Sequence, residues 1–133
     1  MIPPFNAAGW LPPGLHRATL VEVQERLGLL SELRRVQMES VRWMVELAVR
    51  AGVERIVLNG SFVSNIIEPN DVDCVLLVGP GFPRDAAAEK ELLVGLPFLD
   101  IALADQDEFG DLIGHTFATD RLGAAKGLIE VIA

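Results

Sequence analysis

The sequence predicts an α+β fold, a small mixed β-sheet flanked by helices. Three observations lead there. Short apolar, strand-like runs occupy residues 55–60, 72–78 and 97–104. A long helix-periodic segment, Ser31 to Ala51, precedes the first of them with only a glycine turn between. The chain has 133 residues, half of them hydrophobic, which suits one domain, residues 1–133, with a core of its own.

Residues 1–18 are expected to form an extended N-terminal arm, because Pro3, Pro4, Pro12 and Pro13 punctuate its first part. Phe5 and Trp10 are its anchors on the core, and His16 is read as structural. Thr19 and Glu22 have capping-box spacing, so a short helix starts there and Gly28 ends it. In the second helix Arg35, Glu39, Arg42, Glu46 and Arg50 recur at steps of three and four and form a narrow charged stripe. Met38, Val41, Trp43, Met44, Val45, Leu47, Ala48 and Val49 fill most of the remaining circumference. This helix is therefore expected to lie across the sheet as core.

The first strand ends on Gly60-Ser61, and after a nine-residue loop Asp71-Val72-Asp73 opens the second. Alternation puts Asp71, Asp73, Val75 and Leu77 on one face and Val72, Cys74, Leu76 and Val78 on the other. The second set is wholly apolar, which fixes the register and turns both carboxylates to the front. Asp85 caps a third helix, Ala86 to Val94, closed by Gly95. In the strand from Pro97 to Ala104, Asp100 shares a face with Ala102 and Ala104, and small neighbours leave room above the sheet. Residues 105–111 place four acids around Phe109 and read as a solvated turn or short helix. Leu128 to Ala133 suits a last strand.

Three carboxylates on one face repel each other and are costly to desolvate unless divalent cations join them. Oxygen ligands without His or Cys point to Mg²⁺ or Mn²⁺. Asp71, Asp73 and Asp100 are accordingly the candidate metal ligands, with Asp100 as general base in a two-metal phosphoryl transfer. Gly60 lets the backbone approach a phosphate, and Ser61 can donate to its oxygens. A turn explains Asp71 but not Asp73 or Asp100, which are embedded in apolar strands.

The elements Leu58-Asn59-Gly60-Ser61, Asp71-Val72-Asp73-Cys74 and Leu99-Asp100-Ile101 resemble the signature of the nucleotidyltransferase superfamily of DNA polymerase beta and the minimal bacterial nucleotidyltransferases. The resemblance implies a nucleotidyltransferase-like core, Asp71, Asp73 and Asp100 on Mg²⁺, and Ser61 on the triphosphate of a nucleoside triphosphate such as ATP. Lys126 is the basic candidate for that triphosphate, with Arg121 and Arg84 behind it. Over nearly the whole chain, Leu11-Pro12-Pro13-Gly14-Leu15-His16, Gly60-Ser61-Phe62-Val63, Pro69 to Asp73 and Arg121 to Gly127 are similar to an uncharacterised family of small bacterial proteins assigned to this superfamily. Full nucleotidyltransferases carry a second helical region. Here only the arm and the tail after Asp105 stand in its place, which suggests completion by a partner subunit or a homodimer; minimal nucleotidyltransferases that act as antitoxins nucleotidylate a toxin partner, and a chain this short fits that role.

Other classes fare less well. A net charge of −8 argues against gripping duplex nucleic acid through its phosphates. The single cysteine, the absence of a membrane-length apolar run and the start Met1-Ile2-Pro3-Pro4 lead to the expectation of a cytoplasmic protein. A glycosyltransferase with an Asp-x-Asp motif needs a longer chain and leaves Gly60-Ser61 and Asp100 unexplained. An inactive nucleotide-binding module of the same fold, working through a partner, is the alternative to an enzyme.

Overall fold

The computed structural model describes residues 1–116 and 126–132. The strands are β1 (Gly14–Thr19), β2 (Arg55–Asn59), β3 (Val72–Leu77), β4 (Leu99–Ala104) and β5 (Gly127–Ile132). The helices are α1 (Leu20–Leu27), α2 (Glu32–Ala51), α3 (Ala86–Val94) and α4 (Gln106–Asp111). Among the described residues the strands form one sheet in the order β1-β5-β2-β3-β4. The outer pairs, β1–β5 and β3–β4, are parallel; the inner pairs are antiparallel. This is the mixed sheet with flanking helices that the α+β reading expects.

Local signals set the helix ends. Thr19 caps α1 with the full capping box to Glu22, and Ser31 accepts from the Arg34 amide at the start of α2. Gly52 ends α2 in the left-handed conformation, with φ of 85°. Asp85 accepts from the amides of Ala87 and Ala88 and starts α3. Asp105 and Glu108 form a second capping box, so the acidic segment becomes the short helix α4.

The two sheet faces carry different cores. Ile56, Leu58, Val72, Cys74, Leu76, Ile129 and Val131 pack with Met38, Val41, Met44, Val45, Leu47 and Ala48 of α2. Burial there pushes the Cys74 thiol far above its ordinary value, which marks it as a packing residue. On the other face Val57, Val75, Leu77, Ala104 and Leu128 pack around Phe109 of α4. Arg55 crosses that ring and forms a two-pronged ion pair with Glu130, at 3.0 and 2.6 Å.

Two expectations are corrected. Trp43 and Val49 are 47% and 53% exposed, not core. They sit four residues after Glu39 and three after Glu46, so helical spacing places them beside the charged stripe. Near the start of the same helix Arg34 and Gln37 are polar yet almost fully enclosed. The second correction concerns the arm. Its last residues form β1, whose parallel partner β5 lies more than a hundred residues away. Pro and Gly punctuation described the arm correctly only up to Pro13. Phe5 does pack against the core, with Arg26 5.5 Å above its ring, and His16 Nε2 lies 2.7 Å from the Pro12 carbonyl oxygen.

Candidate functional site

At the C-terminal end of β2 the chain must turn sharply beneath β3. Gly60 does so with φ of 85° and ψ of −164°, a conformation that is essentially glycine's alone. A Cβ at this position would also stand 2.6 Å from Asp73 Oδ2. The glycine therefore makes room for the carboxylate as well as for the turn. Ser61–Val63 follows as one 3₁₀ turn, and the Ser61 hydroxyl accepts from the Asn70 amide at 2.8 Å. That bond closes the loop from Phe62 to Asn70 against its own start and leaves the hydroxyl hydrogen able to donate.

Asn59, Asp73 and Asp100 are register partners across β2, β3 and β4. Directly paired residues share a face, so the three side chains form one row across the sheet. Asn59 is 3% exposed, Asp73 half-buried and Asp100 exposed. Burial first, and the Asp100 carboxylate second, raise the Asp73 pKa above its ordinary value. The Lys126 ammonium opposes them, and Asp71 adds a weaker push upward. Lys126 Nζ also stands 5.0 Å from the centroid of the Trp10 ring. The arm thus helps to place a cation beside Asp73.

Each sequence-derived candidate can now be placed. Gly60, Asp73, Asp100 and Lys126 come together at one end of the sheet, with Ser61 in the adjoining turn. Asp71 lies one residue outside β3, exposed, and lines a groove with Leu33, Gln37, Pro69, Asn70 and Phe98. Arg84 is elsewhere: its side chain lies against Gly52, next to the start of β2 and so at the opposite end of the sheet, and it is withdrawn as a phosphate ligand. Arg121 lies outside the described residues.

Residue-by-residue reading missed Arg34. It is fully buried in α2 and donates to the carbonyls of Leu27, Ser61, Phe62, Ser64 and Ile66 at 2.6 to 3.3 Å. Its guanidinium also lies 5.1 Å from the Phe62 ring centroid. Burial pushes its pKa down to about 10, so it remains charged at neutral pH. One side chain therefore holds the turn after Gly60 in place. The only sequence signal was its position off the alternating charged stripe of α2.

A model of the family of unknown function DUF6932 matches residues 3–132. The chain belongs to that family. No curated protein and no solved structure matches it. Membership of DUF6932, a family of unknown function, carries no activity with it.

Among the described residues of this DUF6932 chain, no group of three or more His, Cys, Asp or Glu side chains stands ready to hold a metal ion. The fit to a divalent cation rests on fewer groups. Asp73 and Asp100 form a hard-oxygen pair in register, and burial first and the Asp100 charge second raise the Asp73 pKa, a cost that a bound cation would offset. Asn59 adds a neutral oxygen donor to the row, because its buried Oδ1 has no hydrogen-bond partner among the described residues. With Asp71 at the strand entrance, the donor set suits Mg²⁺ or Mn²⁺ and lacks the nitrogen or sulfur that zinc prefers. No described helix of this DUF6932 member is long and apolar enough to cross a membrane.

Proposed function

We propose that the protein is a divalent-metal-dependent nucleotidyltransferase that moves a nucleoside monophosphate from a nucleoside triphosphate to a hydroxyl group of an acceptor. The observation that carries this reading is the pairing of Asp73 with Asp100 directly beside the Gly60 turn. Two carboxylates next to a glycine turn that admits close backbone approach form the minimum needed to position a triphosphate and an attacking hydroxyl.

In this reading Asp71, Asp73 and Asp100 hold Mg²⁺ or Mn²⁺, which when bound supplies neutralisation of phosphate charge. Gly60 and Ser61 orient the terminal phosphates through backbone and hydroxyl donors. Lys126, held beside Asp73 and over Trp10, supports them electrostatically. Asp100, the more exposed carboxylate, accepts the proton of the acceptor hydroxyl. The hydroxyl oxygen then bonds to the α-phosphorus, the bond from that phosphorus to the bridging oxygen breaks, and pyrophosphate leaves.

A second reading draws on Lys126. Its ammonium already supplies part of the positive charge that the carboxylate pair calls for, as suits a nucleotide-binding module that acts through a partner protein without turnover. A protein partner such as a toxin, a homodimer and a cytoplasmic setting fit either reading. Thermal-shift titration with each nucleoside triphosphate, with and without Mg²⁺ or Mn²⁺, tests the site. A metal-dependent stabilisation that disappears in the Asp71→Ala/Asp73→Ala double variant is the expected result. An unchanged shift in that variant would overturn the metal-site reading. Pyrophosphate release with candidate acceptors then separates the enzyme from the binding module.

A further inference from the structure

The groove beside Asp71 has features that phosphate binding does not use. It is an open groove of about 500 Å³ between α2 and the loop into β4. Its walls are Leu33, Pro69 and Phe98, and its polar groups are Gln37, Asn70 and Asp71. Two of these residues are anomalous in ways that packing alone does not explain.

The first is Phe98, with φ of 66° and an exposure of 39%. A bulky aromatic residue in the left-handed region is a conformational outlier. Its carbonyl accepts from the Val72 amide at 2.8 Å, which locks the backbone to the residue after Asp71. The strained conformation therefore leaves a large apolar ring partly in solvent at the groove.

The second is Gln37, 1% exposed. Its Nε2 donates to the carbonyls of Pro69 and Asn70 at 3.3 and 3.0 Å. Both partners can only accept, so the amide orientation is settled and Oε1 is an acceptor. That Oε1 is buried and has no partner among the described residues. A buried acceptor without a donor is costly, and here it belongs to a residue that lines the groove.

We propose that this groove is a nucleobase subsite for a ring bearing an exocyclic amine, stacked on Phe98 with the amine directed to Gln37 Oε1. The inference rests on the nucleotidyl-transfer reading, since it adds the base-binding part that the Gly60 turn and the carboxylates lack. Three apolar walls favour a flat ring over a hydrated, ringless amine. Gln37 Oε1 can only accept a hydrogen bond, so the ligand has to bring a donor. Asp71 lines the groove two residues before Asp73, so the groove lies at the end of β3 where the carboxylate row begins.

Calorimetric titration of the intact chain with adenosine and with purine riboside, which lacks the amine, tests this without metal or phosphate. Adenosine is expected to bind at least about tenfold more tightly than purine riboside, the scale of one buried hydrogen bond. Phe98→Asn, which tolerates positive φ, is expected to weaken adenosine by about tenfold or more through loss of stacking. The same variant should bind Mg²⁺-tripolyphosphate as the wild type does. Equal affinity for the two nucleosides, no binding of either, or indifference to Phe98→Asn would overturn the subsite. Equal or tighter binding of agmatine, an amine without a ring, would overturn it as well. Tripolyphosphate binding with Mg²⁺ reports separately on the carboxylate site. If it binds and adenosine does not, the subsite falls and the proposed function stands; the reverse result removes the proposed function and leaves the groove.

Discussion

Gly60 lies so close beneath Asp73 that a single methyl group on it would come within 2.6 Å of the carboxylate oxygen Oδ2. The turn that ends β2 and the acid that opens the candidate site are thus one steric unit. Gly60→Ala should cost about 1–3 kcal/mol from backbone strain alone, with a further loss from the displaced carboxylate. Urea unfolding measures the sum. Repeating Gly60→Ala in an Asp73→Ala background should recover the steric part and leave the strain, so equal costs in the two backgrounds would contradict the contact.

Arg34 makes a contrasting prediction, because its importance is structural. Replacing it with Met leaves five backbone carbonyls short of a donor and should destabilise the chain by about 3 kcal/mol or more. Arg34→Lys should recover little of that, since one ammonium cannot span the same set of acceptors. Amide hydrogen exchange should show the loss concentrated in residues 61–66.

Asp73 is held against its own preference. Its folded pKa is raised above 3.8, by burial first and then by Asp100, so its ionised form costs stability. That cost is fully present above the folded pKa and disappears as the pH falls toward 3.8. In the metal-free protein Asp73→Asn should therefore raise Tm at pH 7, with the gain shrinking in acid. Addition of Mg²⁺ should stabilise the wild type and not the variant. A lower Tm for metal-free Asp73→Asn at pH 7 would show that the carboxylate is needed for the fold itself.

Glu130 has the opposite sign. The hydrogen bonds from Arg55 hold its carboxyl below the ordinary value of 4.5, against the effect of burial, and the charges of Arg55 and Arg17 add to them. The resulting stability is present above pH 4.5 and is lost as the pH falls through the lowered folded value. Glu130→Gln should be less stable than the wild type at pH 7, and the gap should narrow in acid. Chemical unfolding at a series of pH values would measure it. A gap that stays constant would mean that the pair acts through packing alone.

What the sequence by itself determined was local. Capping residues placed α1 and α3, because a cap and its amides lie within three or four residues of each other, and periodicity placed α2. Period-two alternation placed Asp73 and Asp100 on the faces they occupy, since strand geometry depends on the chain's own backbone. Tertiary structure decided whatever depends on a distant partner. Residues Gly14 to Thr19 become a strand only because β5 offers a parallel edge, and Asp73 meets Asp100 only because β3 and β4 pair in one particular register. Arg34 and Gln37 are buried because loop carbonyls 27 to 33 residues away receive their hydrogens. Phe98 is strained because the Val72 amide bonds to its carbonyl. Periodicity sorts residues by hydrophobicity along one element, whereas a buried polar group is stabilised by acceptors on another, and a single element's pattern carries no trace of them.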